Sequence, residues 1–442
     1  MTEPQVVANI PRPTPAQLDW QRDGFGVFFH FGLNTFHDVE WSDGTLPAGS
    51  FDPTAFDAEQ WVRVAADAGA RYVVLTAKHH DGFCLWPTAT TDYSVASSPW
   101  RGSRGDVVAA VADACRRRGV KLGLYLSPWD RHEPSYADPA AYDAFYLAQL
   151  RELCTDYGEL SELWFDGAGS EGRTYDWPAV MALVRELQPG AMVFNMGEPT
   201  IRWVGNEDGL AHDPVEYAAS RTDVSNYSDA TAALGTAAYV PPECDVSIRP
   251  GWFWHASEGP KSLDHLLAIF YGSLGMGANL LLNLPPDRRG LIGDADAARL
   301  AEFAAELRRR FAAPHAARLT ELGGGAYELD FGATVRIDHL ELREALAEGQ
   351  RAGAHRVFAL PAGLPHGRDP SGAAPPIAQG GTIGIRRIHV FAGLETDRLR
   401  VELDGPGAVL EAATGYGTGV EHVPGIEYEA PTERPDASEK HA

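Results

Sequence analysis

The sequence predicts an α/β protein, a (β/α)8-like barrel of the TIM type followed by a C-terminal β-sandwich domain, and three observations predict it. From Phe25 to about Pro286, short apolar strands alternate with helical patterns, the signature of parallel β/α units. Those strands end repeatedly in polar or aromatic residues, where a barrel carries its ligand-binding loops. Past the helical stretch Ala295 to Phe311 the texture changes to alternating short strands with turn residues, as in AYELDFG, TVRIDHLELRE, TIGIRRIHVFA and RLRVELDG. That alternation is a sandwich pattern.

Taken in order, GVFFHFG (Gly26 to Gly32) reads as the first strand. An amphipathic helix from Glu59 to Ala68, closed by Gly69, leads into the β-branched run YVVLTAKHH from Tyr72, which fits a strand covered on both faces. DVVAAVADACRRRG then places Val107, Val108, Val111 and Cys115 on one helical face, with arginines in the last turn and Gly119 as C-cap. VKLGLYLSP (Val120 to Pro128) is the third strand and ELWFDG (Glu162 to Gly167) the fourth, with a helix ending at Gly158 between them. MVFNMGE (Met192 to Glu198) is the fifth, the regions Arg202 to Asn206 and Cys244 to Ile248 supply later ones, and ANLLLNLP (Ala278 to Pro285) is the last. The count approaches eight, with irregularity expected in the later units. The barrel is assigned to residues 1–312, the sandwich to 313–430 and a disordered tail to 431–442, with the glycine run at 323 to 325 as an early turn of the second domain.

At 442 residues the chain exceeds the ~250 to 300 at which single cores stop growing, so two domains are the default. Its 37 basic and 61 acidic residues give a net charge of −24, which argues against capture of nucleic acid or anionic lipid and favours a neutral substrate. Eleven tryptophans suit flat apolar surfaces that stack on sugar rings, although tryptophan also fills cores. The amino terminus lacks a signal-peptide pattern and no run approaches the ~18 apolar residues of a membrane helix, so a soluble, cytoplasmic protein is expected. Cys84, Cys115, Cys154 and Cys244 show no CxxC or zinc-ribbon spacing and read as reduced, mostly buried thiols. The sequence leaves the oligomeric state open.

Chemistry concentrates at strand ends. Lys78, His79, His80 and Asp81 follow the second strand, where ligands bind in α/β folds. Glycosidic cleavage needs two carboxyl groups, one to attack or activate water and one to protonate the leaving oxygen. Asp166 closes ELWFDG and so reaches the barrel mouth, with Trp164 sharing its face through the period of two. For the acid, Glu207 in RWVGNEDG competes with Glu243 in PPECDVSIRPGWFWH, both in tryptophan-rich loops. A solvated surface carboxylate is the ordinary role for either, and spacing does not separate them. His30, Glu40 and Trp41 would add polar and stacking groups to the same mouth. Two competing readings are a metal-dependent barrel hydrolase using His30, His79, His80 and a carboxylate, and a non-catalytic sugar-binding protein. Adjacent histidines on a strand point to opposite faces, which disfavours joint ligation.

These residues together resemble the α-L-fucosidases of glycoside hydrolase family 29. The resemblance runs through GVFFHFG, EW at 40 and 41, TAKHHDGFCLW, LGLYLSPWDRHE, LWFDGA, RWVGNE and ECDVSIRPGW, and more weakly through LREALAEGQR and TIGIRRI. It implies a retaining exo-hydrolase without metal or cofactor, acting on a fucosylated oligosaccharide, with Asp166 as nucleophile. It further implies that His30, Glu40, Trp41, His79, His80, Tyr125 and Trp164 line the fucose pocket, and Arg202 and Trp252 join that set. RWVGNE and ECDVSIRPGW are similar to the branch acting on α-1,3 and α-1,4 linked fucose, in which the glutamate of GNE is the acid/base, so Glu207 is chosen over Glu243. Phe31 departs from the family's HWG pattern, which implies an altered pocket wall.

Overall fold

The computed structural model describes residues 10–170, 172–223, 231–361, 363, 365–367 and 375–426. The tail expected at 431–442 lies outside the described residues. The chain opens with α1 (Pro15–Asp23), whose start is fixed by a Thr14/Gln17 capping box with Pro15 in the first turn. Strands β1 (Phe25–Phe29), β2 (Tyr72–Lys78), β3 (Lys121–Leu126), β4 (Glu162–Trp164), β5 (Met192–Phe194) and β6 (Arg202–Trp203) follow. A hairpin of β7 (Ala218–Asp223) and β8 (Thr231–Tyr239) comes next, then β9 (Pro242–Ser247) and β10 (Asn279–Asn283). Eight of these form one parallel sheet in the order β5-β4-β3-β2-β1-β10-β9-β6, and a parallel bridge between Phe194 and Ile201 joins its two edges. The predicted barrel is therefore present, with strands shorter than their apolar runs suggest because the residues beyond each strand turn out into the mouth loops.

Helices α2 (Leu33–His37), α3 (Ala58–Asp67), α4 (Val107–Arg118), α5 (Pro139–Asp156), α6 (Trp177–Leu187), α7 (Leu263–Gly272) and α8 (Asp294–Arg310) complete the unit. Asp57 and Asp106 cap α3 and α4 by accepting from the backbone N–H of Gln60 and Ala109, and Gly119 ends α4 at φ +66°. The period of two sorts each strand between two cores. On β2, Val73, Leu75 and Ala77 pack against the helices with Trp61, Val62 and Val111, while Tyr72 and Val74 face the barrel axis with Phe28, Tyr125, Trp164 and Leu281. Trp20 of α1 joins that inner cluster from the amino-terminal ends of the strands, a plug that no sequence pattern pointed to. Irregularity falls where expected: the connection 195–201 between β5 and β6 is shorter than the roughly dozen residues a crossover helix needs, and the β7–β8 hairpin replaces a helix before β9.

Beyond α8, strands β11 (Pro314–Ala316), β12 (Arg318–Gly323), β13 (Ala326–Glu344), β14 (Ala354–Ala359), β15 (Ala378–Gly380), β16 (Arg387–Asp404) and β17 (Leu410–Tyr416) form one antiparallel sheet. Register shifts bend the long pair β13 and β16 midway, so its two halves enclose a common core containing Leu329, Val357 and Val401 from one side and Leu340, Leu342 and Leu410 from the other. Gly323, Gly324 and Gly325 turn between β12 and β13 with φ of +86°, +62° and +81°, a conformation that glycine adopts without a Cβ clash. The domain is fixed to the barrel by specific polar contacts. Tyr271 and His339 share a 2.6 Å hydrogen bond, and Arg387 makes a paired contact to Asp213 at 3.1 and 2.9 Å. All four cysteines are buried and free.

Candidate active site

At the carboxyl ends of the barrel strands lies a cavity of about 660 Å³, counting its open mouth. Among the described residues, everything lining it lies between Phe28 and Phe253, so the second domain braces the barrel without entering the site. Asp166 stands two residues beyond Trp164 of β4. Its Oδ2 accepts from the Tyr125 hydroxyl at 3.1 Å and lies 3.5 Å from His80 Nε2, and its Oδ1 accepts from the backbone N–H of Ala168 at 2.9 Å. Burial pushes the Asp166 carboxyl up, but the contacts from His80, Ala168 and Tyr125 outweigh it and hold the group below the usual range. Asp166 is thus a carboxylate at neutral pH.

Glu207 lies across the same cavity, and the Trp252 indole N–H points at its Oε2 from 3.4 Å. Crowding by protein raises its carboxyl to about 7, chiefly through burial and then through the Asp166 charge. Its side chain is nevertheless exposed at the mouth. Solvent at the mouth therefore screens part of this rise. The cavity thus holds one carboxyl biased toward its charge and one biased toward its proton.

The histidines are set by their second nitrogens. Asn283 donates its amide hydrogens to Ser247 Oγ and the Trp252 carbonyl, which leaves its Oδ1 to accept from His30 Nδ1 at 2.9 Å. His30 therefore presents Nε2 as an acceptor, and burial keeps it neutral by lowering its pKa to about 3. Ser127 donates to the Trp129 carbonyl, so it accepts from His80 Nδ1 at 2.7 Å. His79 lies ring to ring with Tyr125 at 5.7 Å, and its buried Nδ1 has no hydrogen-bond partner. Burial holds His79 neutral. The rings of His30 and His79 lie 5.8 Å apart, and those of His79 and His80 4.3 Å apart. The described residues contain no group of three or more His, Cys, Asp or Glu side chains able to hold a metal ion.

Glu40 and Trp41 also line the cavity. The Glu40 carboxylate accepts from the backbone N–H of Trp252 at 2.9 Å and of Phe253 at 3.2 Å, and it meets His255 Nε2 at 2.5 Å. It thereby fixes the loop that presents Trp252 and Phe253. Gly251 lets the loop close onto this carboxylate, since a Cβ there would come within 2.4 Å of Glu40 Oε1 and displace it. Trp41 lies edge-on to His80 at 5.3 Å and to Trp129 at 5.6 Å.

Three expectations are corrected. Glu243, the alternative acid, does not line the cavity: it is fully buried beneath it, where its carboxylate accepts from the Tyr72 hydroxyl at 2.7 Å and the Trp164 indole at 3.2 Å. Arg202 also lies outside the cavity. Its neighbour Trp203 faces inward, so the pleat turns Arg202 outward, where it donates to the Trp203 and Glu216 carbonyls at 3.2 and 3.0 Å. Phe31 is not part of the pocket wall, because it packs into the helix-facing core against Phe51 and Trp61 at 5.5 and 5.2 Å. Lys78, of the KHHD motif, is likewise structural, with a buried 2.8 Å ion pair to Asp130.

The sequence reading missed Phe28, Phe194, Asn195, Trp203, Asp245 and Phe253, all of which line the cavity. Strand alternation carried the signal for one of them, since Phe28 lies two residues before His30. Asn195 has φ +64°, an uncommon conformation for a non-glycine residue, and donates its side-chain amide to the Asp223 carbonyl at 2.7 Å.

Comparison with known proteins agrees with this arrangement. Residues 37–310, more than half of the chain, match the family model for Alpha-L-fucosidase. The chain is 38% identical over 447 residues to Alpha-L-fucosidase 1 of Arabidopsis thaliana, covering 91% of this chain and 87% of that protein. Its structure is similar to that of a glycoside hydrolase 29 family member from an unknown rumen bacterium, with a TM-score of 0.82 at 34% identity over 97% of this chain and 79% of the other. It also resembles a Ruminococcus gnavus GH29 fucosidase in complex with fucose, with a TM-score of 0.77 at 27% identity, covering 92% and 94%. The barrel, its carboxylate-bearing cavity and these matches together establish that the chain belongs to the alpha-L-fucosidase family of glycoside hydrolases.

Proposed function

We propose that the protein is a retaining exo-α-L-fucosidase that removes terminal α-1,3 or α-1,4 linked L-fucose from oligosaccharides by double displacement, with Asp166 as nucleophile and Glu207 as acid/base. The observation that carries this reading is the opposite bias of two carboxyls facing one cavity, Asp166 held down and Glu207 held up. Asp166 forms a bond to the anomeric carbon as the glycosidic bond breaks and Glu207 protonates the departing oxygen. Glu207, now a carboxylate, takes a proton from water while the water oxygen displaces Asp166 from the same carbon. The Tyr125 hydroxyl steadies the Asp166 charge in the resting enzyme and as it departs.

Binding follows from the lining. Fucose is uncharged and carries hydroxyls plus one methyl group. His30 Nε2 accepts from a hydroxyl, and His79 and His80 supply further ring nitrogens. The aromatic wall of Phe28, Trp164, Phe194 and Trp203 covers the methyl group. That the Ruminococcus gnavus relative was solved with fucose supports this choice of sugar.

The linkage preference rests on the RWVGNE and ECDVSIRPGW motifs, which carry Glu207 and Trp252 to the mouth. Hydrolysis rates on a Lewis-type trisaccharide, an α-1,2 fucosylated lactose and 4-nitrophenyl α-L-fucoside test it. The first substrate is expected to be preferred, and strong preference for the α-1,2 linkage would overturn the assignment. Proton NMR of the first-formed sugar tests the stereochemistry: α-L-fucose is expected, and β-L-fucose would exclude double displacement.

A further inference from the structure

We propose that Asp245 is a substrate-contacting residue that donates a hydrogen bond, as a neutral carboxylic acid, to a ring hydroxyl of the bound sugar. On β9 the pleat turns Glu243, Asp245 and Ser247 toward the barrel axis in successive rungs, while Cys244 and Val246 face away. The lowest rung is satisfied, since each Glu243 oxygen accepts a hydrogen bond, from Tyr72 or from Trp164. The highest is satisfied too, because Ser247 donates to the Gly251 carbonyl and accepts from Asn283. Asp245 differs. It is 4% exposed, it lines the cavity that holds Asp166 and Glu207, and its buried Oδ1 has no hydrogen-bond partner.

A buried carboxyl oxygen without a partner is costly, and this one faces a ligand cavity, so a bound ligand completes it. The surroundings decide in which form it is completed. Burial first, and then the neighbouring Glu207 and Glu243 charges, push the Asp245 carboxyl well above the usual range, while the Trp203 indole opposes them only in part. With the proton present, the group offers an O–H that accepting histidine nitrogens cannot supply. It lies one rung below Ser247, among the aromatic side chains of the floor, whereas Glu207 stands exposed at the mouth. The partner is therefore a hydroxyl of the terminal sugar and not of the aglycone.

This inference rests on the fucosidase reading of the cavity, and the test separates the two. Wild type, Asp245→Asn and Asp245→Ala are compared for kcat/KM on 4-nitrophenyl α-L-fucoside, for inhibition by L-fucose and for thermal unfolding. Asparagine keeps a neutral donor, so Asp245→Asn is expected to stay within about threefold of wild type and to leave the basic limb of the pH profile in place. Asp245→Ala is expected to lose roughly tenfold in both kcat/KM and fucose affinity, the value of one hydrogen bond. If the alanine variant does not fold, Asp245→Ser replaces it, with the same expected loss. Loss in Asp245→Asn equal to that in the shortened variant, or a downward shift of its basic limb, would mean an ionised carboxylate and overturn the proposal. Wild-type values in the shortened variant would overturn it as well. A wild-type protein that neither cleaves the fucoside nor binds fucose would instead sink the fucosidase reading itself.

Discussion

The indole N–H of Trp164 donates to Glu243 Oε1 at 3.2 Å, and this places a buried carboxyl pair directly beneath the proposed nucleophile. Glu243 and Glu162 are both fully buried, and Glu162 accepts from the Trp20 indole at 3.1 Å. Burial first, and then the charge of Glu243, push Glu162 well above the usual range, so the pair holds a shared proton. Trp164 in turn stacks on Phe194 at 3.9 Å and on Tyr125 at 5.4 Å, and Tyr125 donates to Asp166. A chain of contacts thus runs from the plug helix α1 to the nucleophile.

Glu243→Ala is expected to lower stability by about 2 to 3 kcal/mol, because it strands two buried donors, and to lower kcat through the loosened Trp164. Thermal unfolding and steady-state rates on 4-nitrophenyl α-L-fucoside measure both effects. Added azide is expected to give no recovery in this variant, since Glu243 does not face the cavity; recovery would mean that it acts on the substrate.

The same carboxyl links stability to pH. Burial raises its folded pKa to about 7, above the ordinary value of 4.5, so its contribution is fully present below about 4.5 and is lost as pH rises through 7. Glu243→Gln cannot ionise. Its unfolding midpoint is expected to fall less steeply than that of wild type between these pH values, as followed by chemical denaturation at several pH values.

Activity has a different window. Asp166 must be charged and Glu207 protonated, so kcat/KM is expected to rise through a limb below the usual carboxylate range and to fall through a limb near pH 7. Asp166→Asn removes the charge that raises Glu207, which predicts a lower Glu207 pKa in that variant, measurable by carbon-13 NMR of labelled glutamate.

Lys78 and Asp130 are 0% and 2% exposed and form a 2.8 Å pair, with Lys78 Nζ over the rings of Tyr142, Phe145 and Tyr146 at 5.6 to 5.8 Å. Removing one partner leaves the other charge uncompensated, so Lys78→Ala is expected to cost about 3 to 5 kcal/mol in unfolding free energy. A value near zero in denaturant titration would show that the pair does not support the fold.

The barrel was legible in the sequence because its strands are apolar on both faces and its helices carry their own caps, as Asp106 and Gly119 do for α4. The candidate site was legible only in part. Residues just past strand ends, such as His30, His79 and Asp166, stood out because polar groups there interrupt apolar runs. Asp245 did not, since it lies inside a strand and its meaning depends on the inward face of β9. Glu243 misled for the same reason: the segment around it is rich in tryptophan, but it sits in β9 one rung below Asp245, beneath the cavity. Arg202 shows the rule in its simplest form, because its neighbour Trp203 takes the inward position and the arginine cannot share it.

The most direct measurement of the central claim is the anomer of the azide adduct formed by two variants on an activated α-L-fucoside. In Asp166→Gly, azide must attack the anomeric carbon itself, so β-L-fucosyl azide is expected. In Glu207→Ala, azide attacks the fucosyl enzyme held on Asp166, so α-L-fucosyl azide is expected. Finding these two opposite anomers by NMR would place nucleophile and acid/base as assigned. Wild-type turnover in Asp166→Gly without azide, or the same anomer from both variants, would contradict the account.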